Sequence, residues 1–180
     1  MRKKTLWLME TAMMLALLVI FQVVIKPAGQ MITGTFVNGV LGIATLMSGV
    51  GSGAVVALVS PIAAFLLGIA PQILTVPAIM AGNLVYVLVL GLWKKQRQGV
   101  LCSAIRCICA AAAKFAVLYA LVVWGICHIF ADRLLESGML KLPMLKVLTA
   151  TFTWPQLFTA LLGGAVAFCI APLLRKALRR

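Results

Sequence analysis

Acidic residues are almost missing from this sequence: Glu10, Asp132 and Glu136 are the three carboxylates among 180 residues, and His128 is the one histidine. Intramembrane proteolysis and lipid phosphotransfer draw on clustered aspartates, a His-Glu-x-x-His helix or a Ser/His pair, so this scarcity argues against an enzyme. Five cysteines (102, 107, 109, 127 and 169) contain no Cys-x-x-Cys spacing. With one histidine they support a zinc site poorly and read as reduced packing residues. No Gly-x-x-x-x-Gly-Lys-Ser/Thr phosphate loop is present, so any ATP-driven step belongs to another subunit, and no cofactor is expected.

What is abundant is apolar. Hydrophobic residues make up 64% of the chain and charged ones 11%, and mean hydropathy is +1.15. These values lie outside the range of a soluble domain and define an integral membrane protein. The net charge of +13 would suggest nucleic acid in a soluble protein, but its placement excludes that partner. The basic residues form three blocks between apolar runs, MRKK at the start, KKQRQ at 94–98 and RKALRR at the end. Such blocks remain cytoplasmic and interact with anionic headgroups of the bilayer.

Hydropathy and chain breakers predict six segments, at 6–25, 36–47, 54–69, 77–93, 100–130 and 155–174. The first has the charged start of a signal peptide, but Glu10 interrupts it and further spans follow, so it reads as a retained helix. An all-α bundle of six transmembrane helices, with both termini cytoplasmic, places all three basic blocks inside. Five spans would put one terminal block outside. The whole chain is then a single transmembrane domain of the plasma membrane. Segments two and three form a tilted, tightly packed pair, with Gly49 and Gly53 at the spacing that lets backbones approach. The outward surface consists of 26–35, 70–76 and the longer 131–153, whose length suggests a lid or binding role beside the plainer reading of a solvated connection with a short interfacial helix.

Lys114 interrupts the run AAAAKFAVLY. If Arg106 marks the inner boundary, Lys114 lies about 12 Å further along the helix, near the midplane. A lysine there costs about 2.5 to 3.5 kcal/mol on insertion scales, and such residues face a cavity or a partner. Glu10 belongs to the cytoplasmic end of the first segment and the other acids to the outer loop. An anionic ligand is the sharper reading, and snorkelling the plainer one. At about 100° per residue, Lys114, Leu118, Leu121, Gly125 and His128 share one face leading outward. Asn83 in segment four, with Trp154 and Gln156 opening segment six, adds polar and aromatic groups to the outer half. Each also has a structural reading: Asn83 as an interhelical bond, Trp154 as an interfacial anchor, Gln156 as a cap. Asn38 and Gln72 complete the candidate ligand-binding set.

Short helices, a small-residue second and third pair, FVNGVLG, PAIMAGN in segment four and FTWPQLFTALLGG opening segment six resemble the substrate-binding S components of energy-coupling factor (ECF) transporters, the prokaryotic vitamin importers. The resemblance spans nearly the whole chain. It implies binding near the outer side by helices four to six and the outer loops. It also implies an Ala-x-x-x-Ala face on the first helix that docks a transmembrane coupling subunit, supplied by Ala12 and Ala16 in AMMLA. The mechanism implied is capture of a micronutrient outside, then reorientation in the bilayer on a coupling subunit driven by a pair of ATPases. A vitamin with a carboxylate, such as pantothenate or a folate, suits Lys114, and cationic thiamine does not. The alternative is a small membrane scaffold or assembly protein without a ligand, which expects a closed interior and a Lys114 tolerant of change.

Overall fold

The computed structural model describes residues 2–69, 72–92 and 99–177. The basic block at 94–98, Trp93, part of the 70–76 loop and the outermost residues of both terminal blocks lie outside the described residues. Eight α-helices occur among the described residues: α1 Arg2–Ile25, α2 Gln30–Ser48, α3 Val50–Leu66, α4 Val76–Leu92, α5 Val100–Leu118, α6 Ala131–Glu136, α7 Leu142–Thr151 and α8 Trp154–Ala177. Five helical stretches, those of α1, α2, α4, α5 and α7–α8, are long and apolar enough to cross a membrane, and α3 is a shorter apolar helix. The outside of the bundle is apolar, with Leu8, Met9, Val24, Leu66, Leu92 and Trp124 all exposed. Such a surface suits hydrocarbon, while the helices satisfy their own backbone groups.

The helices α1 to α5 and α8 alternate in direction. At one end, Ser48 Oγ donates to Glu10 Oε2 at 2.7 Å and Thr11 Oγ1 to Ser52 Oγ at 2.9 Å. Here too Arg106 and Arg175 donate to the carbonyls of Leu90 and Leu46. The start of α1 and the end of α8 therefore lie at this same end. At the other end, Lys26 Nζ donates to the Gly68 carbonyl at 2.9 Å, tying the α1–α2 connection to the end of α3. The joints into α4 and α8, and the short helices α6 and α7, share that second end.

Several boundaries differ from the expected ones. α2 begins at Gln30, so most of the predicted 26–35 loop is helical after one 3-10 turn, Lys26–Ala28. The SGVGSG stretch is a turn at one residue, Gly49, whose φ of +93° suits a residue without a side chain. Gly49 therefore shapes the chain reversal, and Gly53 alone of the predicted pair serves a close approach, to Thr45 and Val87. The most extensive helix pairing is α2 with α8 rather than α2 with α3. It depends on Gly163, where a Cβ would lie 2.5 Å from the Asn38 Cβ and 2.7 Å from α2 backbone atoms.

After Leu118, α5 continues as a π-helical stretch, Tyr119–Ile129. A π turn is wider than an α turn, so the predicted outward face drifts. The buried line runs through Lys114, Leu118, Val122, Val123 and Cys127, whereas Leu121 and His128 are exposed. Burial divides into two clusters. Leu18, Leu41, Val56, Tyr86, Val87 and Leu90 belong to the larger; Leu118, Val122, Leu140, Leu148 and Phe152 form the smaller, under α6 and α7. Lys114 stands on α5 one turn from Ala110 of the first and one turn from Leu118 of the second.

Candidate functional site

Lys114 is 3% exposed. Its ammonium donates to Asn38 Oδ1 on α2 at 2.6 Å and to Asn83 Oδ1 on α4 at 2.7 Å, and it stands 5.6 Å from the centre of the Tyr86 ring. An ammonium has three donors, so two amide oxygens leave one for another partner. Burying a cation in an apolar bundle is unfavourable unless hydrogen bonds compensate, and neutral amide oxygens do so without cancelling the charge. Tyr86 is held in turn by its hydroxyl, which donates to the Ala160 carbonyl at 3.2 Å.

The network continues towards the short helices. Asn38 Nδ2 donates to Thr159 Oγ1 at 3.3 Å, and that hydroxyl donates to the Gln156 carbonyl at 3.2 Å. Gln156 Nε2 donates to the Thr151 carbonyl at 3.4 Å, at the end of α7. Hydrogen bonds thus run from Lys114 of α5 through α2 and α8 to the joint between α7 and α8.

These residues surround a cavity of about 300 Å³, at the small end of ligand pockets. Asn38, Asn83, Lys114 and Gln156 line it together, from four different helices. One face of α2, from the exposed Gln30 through Thr33 and Gly34 to Asn38, runs along it over about 12 Å of helix. Val147, Thr151 and Phe152 of the α7 region complete the lining. The predicted 131–153 loop is therefore mostly two helices, and part of it forms a wall of the cavity. Among the described residues no carboxylate lines the cavity, and Lys114 is its charged member.

Two predicted ligand residues stand apart. Trp154 is 63% exposed and lies outside the cavity lining; its ring stacks on Phe115 at 6.2 Å, beside Tyr119. Gln72 is also outside the lining, and its carbonyl accepts from Thr75 Oγ1 at 2.7 Å at the entry to α4. Conversely, Gln22, Thr33, Ser60 and Phe152 line the cavity without having been singled out. Gln22 had a legible signal, since an amide inside LVIFQVVI poses the same question as Lys114. Ser60, next to Pro61 in α3, had a fainter one.

The family model of the ECF transporter, substrate-specific component, matches residues 7–175. The chain belongs to this family. No curated protein and no solved structure gives a significant match. As an ECF substrate-specific component it is a multi-pass plasma-membrane transport subunit and not an enzyme. Family membership implies a small-molecule substrate, a membrane coupling subunit and ATPase subunits as its partners. Ala12 and Ala16 stand one turn apart and both are exposed on α1.

Proposed function

We propose that this ECF component captures a compact anionic micronutrient, a vitamin or vitamin precursor bearing a carboxylate or phosphate, in the cavity around Lys114. The observation that carries the reading is a buried ammonium on the wall of a cavity that no carboxylate lines among the described residues, held by neutral amides and retaining a donor. An anionic group there completes the cation's coordination in a low-dielectric site, where charge-assisted bonds are strong. Asn38 and Asn83 hold the ammonium in place, and Gln156 adds an amide near the α7–α8 joint. The cavity volume favours a pantothenate-sized ligand over a larger folate.

In this reading the end bearing α6 and α7 faces outward and both chain termini are cytoplasmic, which agrees with the basic terminal blocks. The α7 region orders over the bound cargo. The Ala12–Ala16 face of α1 docks the coupling subunit, on which the loaded protein reorients when the ATPases act. The cavity counts against a ligand-free scaffold, which expects a closed interior. Native mass spectrometry of gently purified protein tests the proposal: a retained compact carboxylate or phosphate is expected, and a retained cationic or uncharged compound would overturn it.

A further inference from the structure

The Lys114 cluster is built by α2, α4 and α5, yet α1 and α3 also send polar groups to the cavity. Gln22 and Ser60 both line it. Gln22 is 8% exposed and Ser60 fully buried. Neither Gln22 Oε1 nor Ser60 Oγ has a hydrogen-bond partner among the described residues. Buried serines in helices commonly bond a carbonyl one turn back, as Thr45 and Thr11 do here. Ser60 makes no such bond. Buried polar atoms without partners are rare in native proteins, because each has lost water and gained nothing. Gln22 Oε1 and Ser60 Oγ both belong to residues on the wall of one cavity, where a small turn of either side chain would bring its free polar atom to a ligand that supplies the missing bond.

We infer that Gln22 and Ser60 form a second subsite, which recognises a neutral hydrogen-bonding group on the cargo, a hydroxyl or an amide. The inference rests on the cavity being the substrate site. The Gln22 amide offers an acceptor in Oε1 and, turned over, donors in its NH2, so a hydroxyl or an amide on the cargo suits it in either orientation, whereas an alkyl chain suits neither. The serine hydroxyl donates or accepts and can complete either kind of group. A cationic donor is disfavoured, because Lys114 already makes the cavity positive and no carboxylate lines it among the described residues. The cargo is therefore bifunctional, with an anionic group at Lys114 and a hydroxyl or amide at Gln22. Simple fatty carboxylates fail the second requirement, and sites that hydrogen-bond a substrate group reject analogues lacking it more strongly than apolar pockets reject a missing methylene.

Binding to the full-length protein in detergent, followed by thermal shift, tests this with carboxylates paired by the presence or lack of a hydroxyl or amide. The pairs are pantothenate and octanoate, and mandelate and phenylacetate; pantothenol serves as the uncharged counterpart of pantothenate. In at least one pair the member bearing that group should bind about tenfold more tightly, the scale of one buried hydrogen bond. Gln22→Leu should bring that ratio close to one without weakening the member that lacks it, and Ser60→Ala should reduce it independently. Both substitutions remove an unpartnered polar atom, so ligand-free unfolding should stay at or above the wild-type temperature. Equal binding within every pair, or a preference that survives both substitutions, overturns the subsite and leaves the anionic cavity standing. Pantothenol binding as tightly as pantothenate, with loss in Gln22→Leu, upholds the subsite and overturns the anionic reading. Binding by none of these compounds overturns both.

Discussion

At the end of the bundle that carries the start of α1 and the end of α8, the space between the helices is filled by Leu41, Ala44, Val56, Val87 and Leu90, all buried. At the end that carries α6 and α7, the same long helices enclose a cavity and present Asn38, Asn83, Lys114, Gln22 and Ser60 to it. The filled end excludes water with apolar side chains and close helix contacts, which stabilise whether or not a ligand is present. The cavity end keeps Gln22 Oε1 and Ser60 Oγ without hydrogen-bond partners among the described residues. Each end thus has its own packed cluster, and in the proposed reading recognition belongs to the cavity end, with Lys114 on α5 between the two.

Substitutions can separate these halves from each other and both from transport. The largest effect is expected outside them, at Ala12 and Ala16. Replacing either with Leu should abolish uptake by the assembled transporter while cargo affinity is unchanged, because a bulky residue on an exposed helix face separates two backbones without reaching the cavity. Uptake that survives both changes would remove this face from the docking surface.

Gly163→Leu attacks the packed α2–α8 contact. Overpacking against the Asn38 Cβ and α2 backbone should destabilise the protein by about 3 kcal/mol, read as a lower unfolding temperature in detergent. An unchanged temperature would mean that these helices can separate at little cost. At the boundary, Asn83→Leu leaves the ammonium with one amide oxygen. A loss of about 2 kcal/mol is expected, the usual scale for a hydrogen bond to a charged group. No change in either stability or binding would show that Asn83 does not hold the lysine.

The smallest effect concerns α7, which packs over the cavity end. Trypsin cleavage at the exposed Lys141 and Lys146 should slow several-fold when cargo saturates the protein. Equal cleavage with and without cargo would separate this segment from the binding event.

The sequence revealed the filled half and the centre of the boundary better than the walls of the cavity. Long apolar runs and their breakers marked each helix of the bundle; Lys114 was singled out by its depth in the bilayer and Asn83 and Gln156 as polar groups of the outer half, and the fold brings all three to the same cavity. The start of α2 was hidden because GQMITGT reads as a loop by composition, although it is helical from Gln30. In a bundle without competing water, packing outweighs such weak propensities. The outward face of α5 was misread because a constant angle per residue fails where the helix widens after Leu118. Gln22 and Ser60 required knowing which helix faces meet, and one chain's periodicity does not carry that information. Trp154 entered the candidate set as an aromatic group of the outer half, and its exposed ring stacks on Phe115 outside the cavity lining.

The central claim is that Lys114 is the counter-ion of an anionic cargo. Calorimetric titration of the cargo identified by native mass spectrometry, on wild type and Lys114→Met, tests it most directly. Affinity should fall by about 2 kcal/mol or more, the scale for leaving one charge of a buried pair alone. The unfolding temperature should stay close to wild type, because relief from a buried charge offsets the lost bonds to Asn38 and Asn83. Unchanged affinity in Lys114→Met, or a cargo without an anionic group, would contradict the account and leave Lys114 as a helix-packing residue.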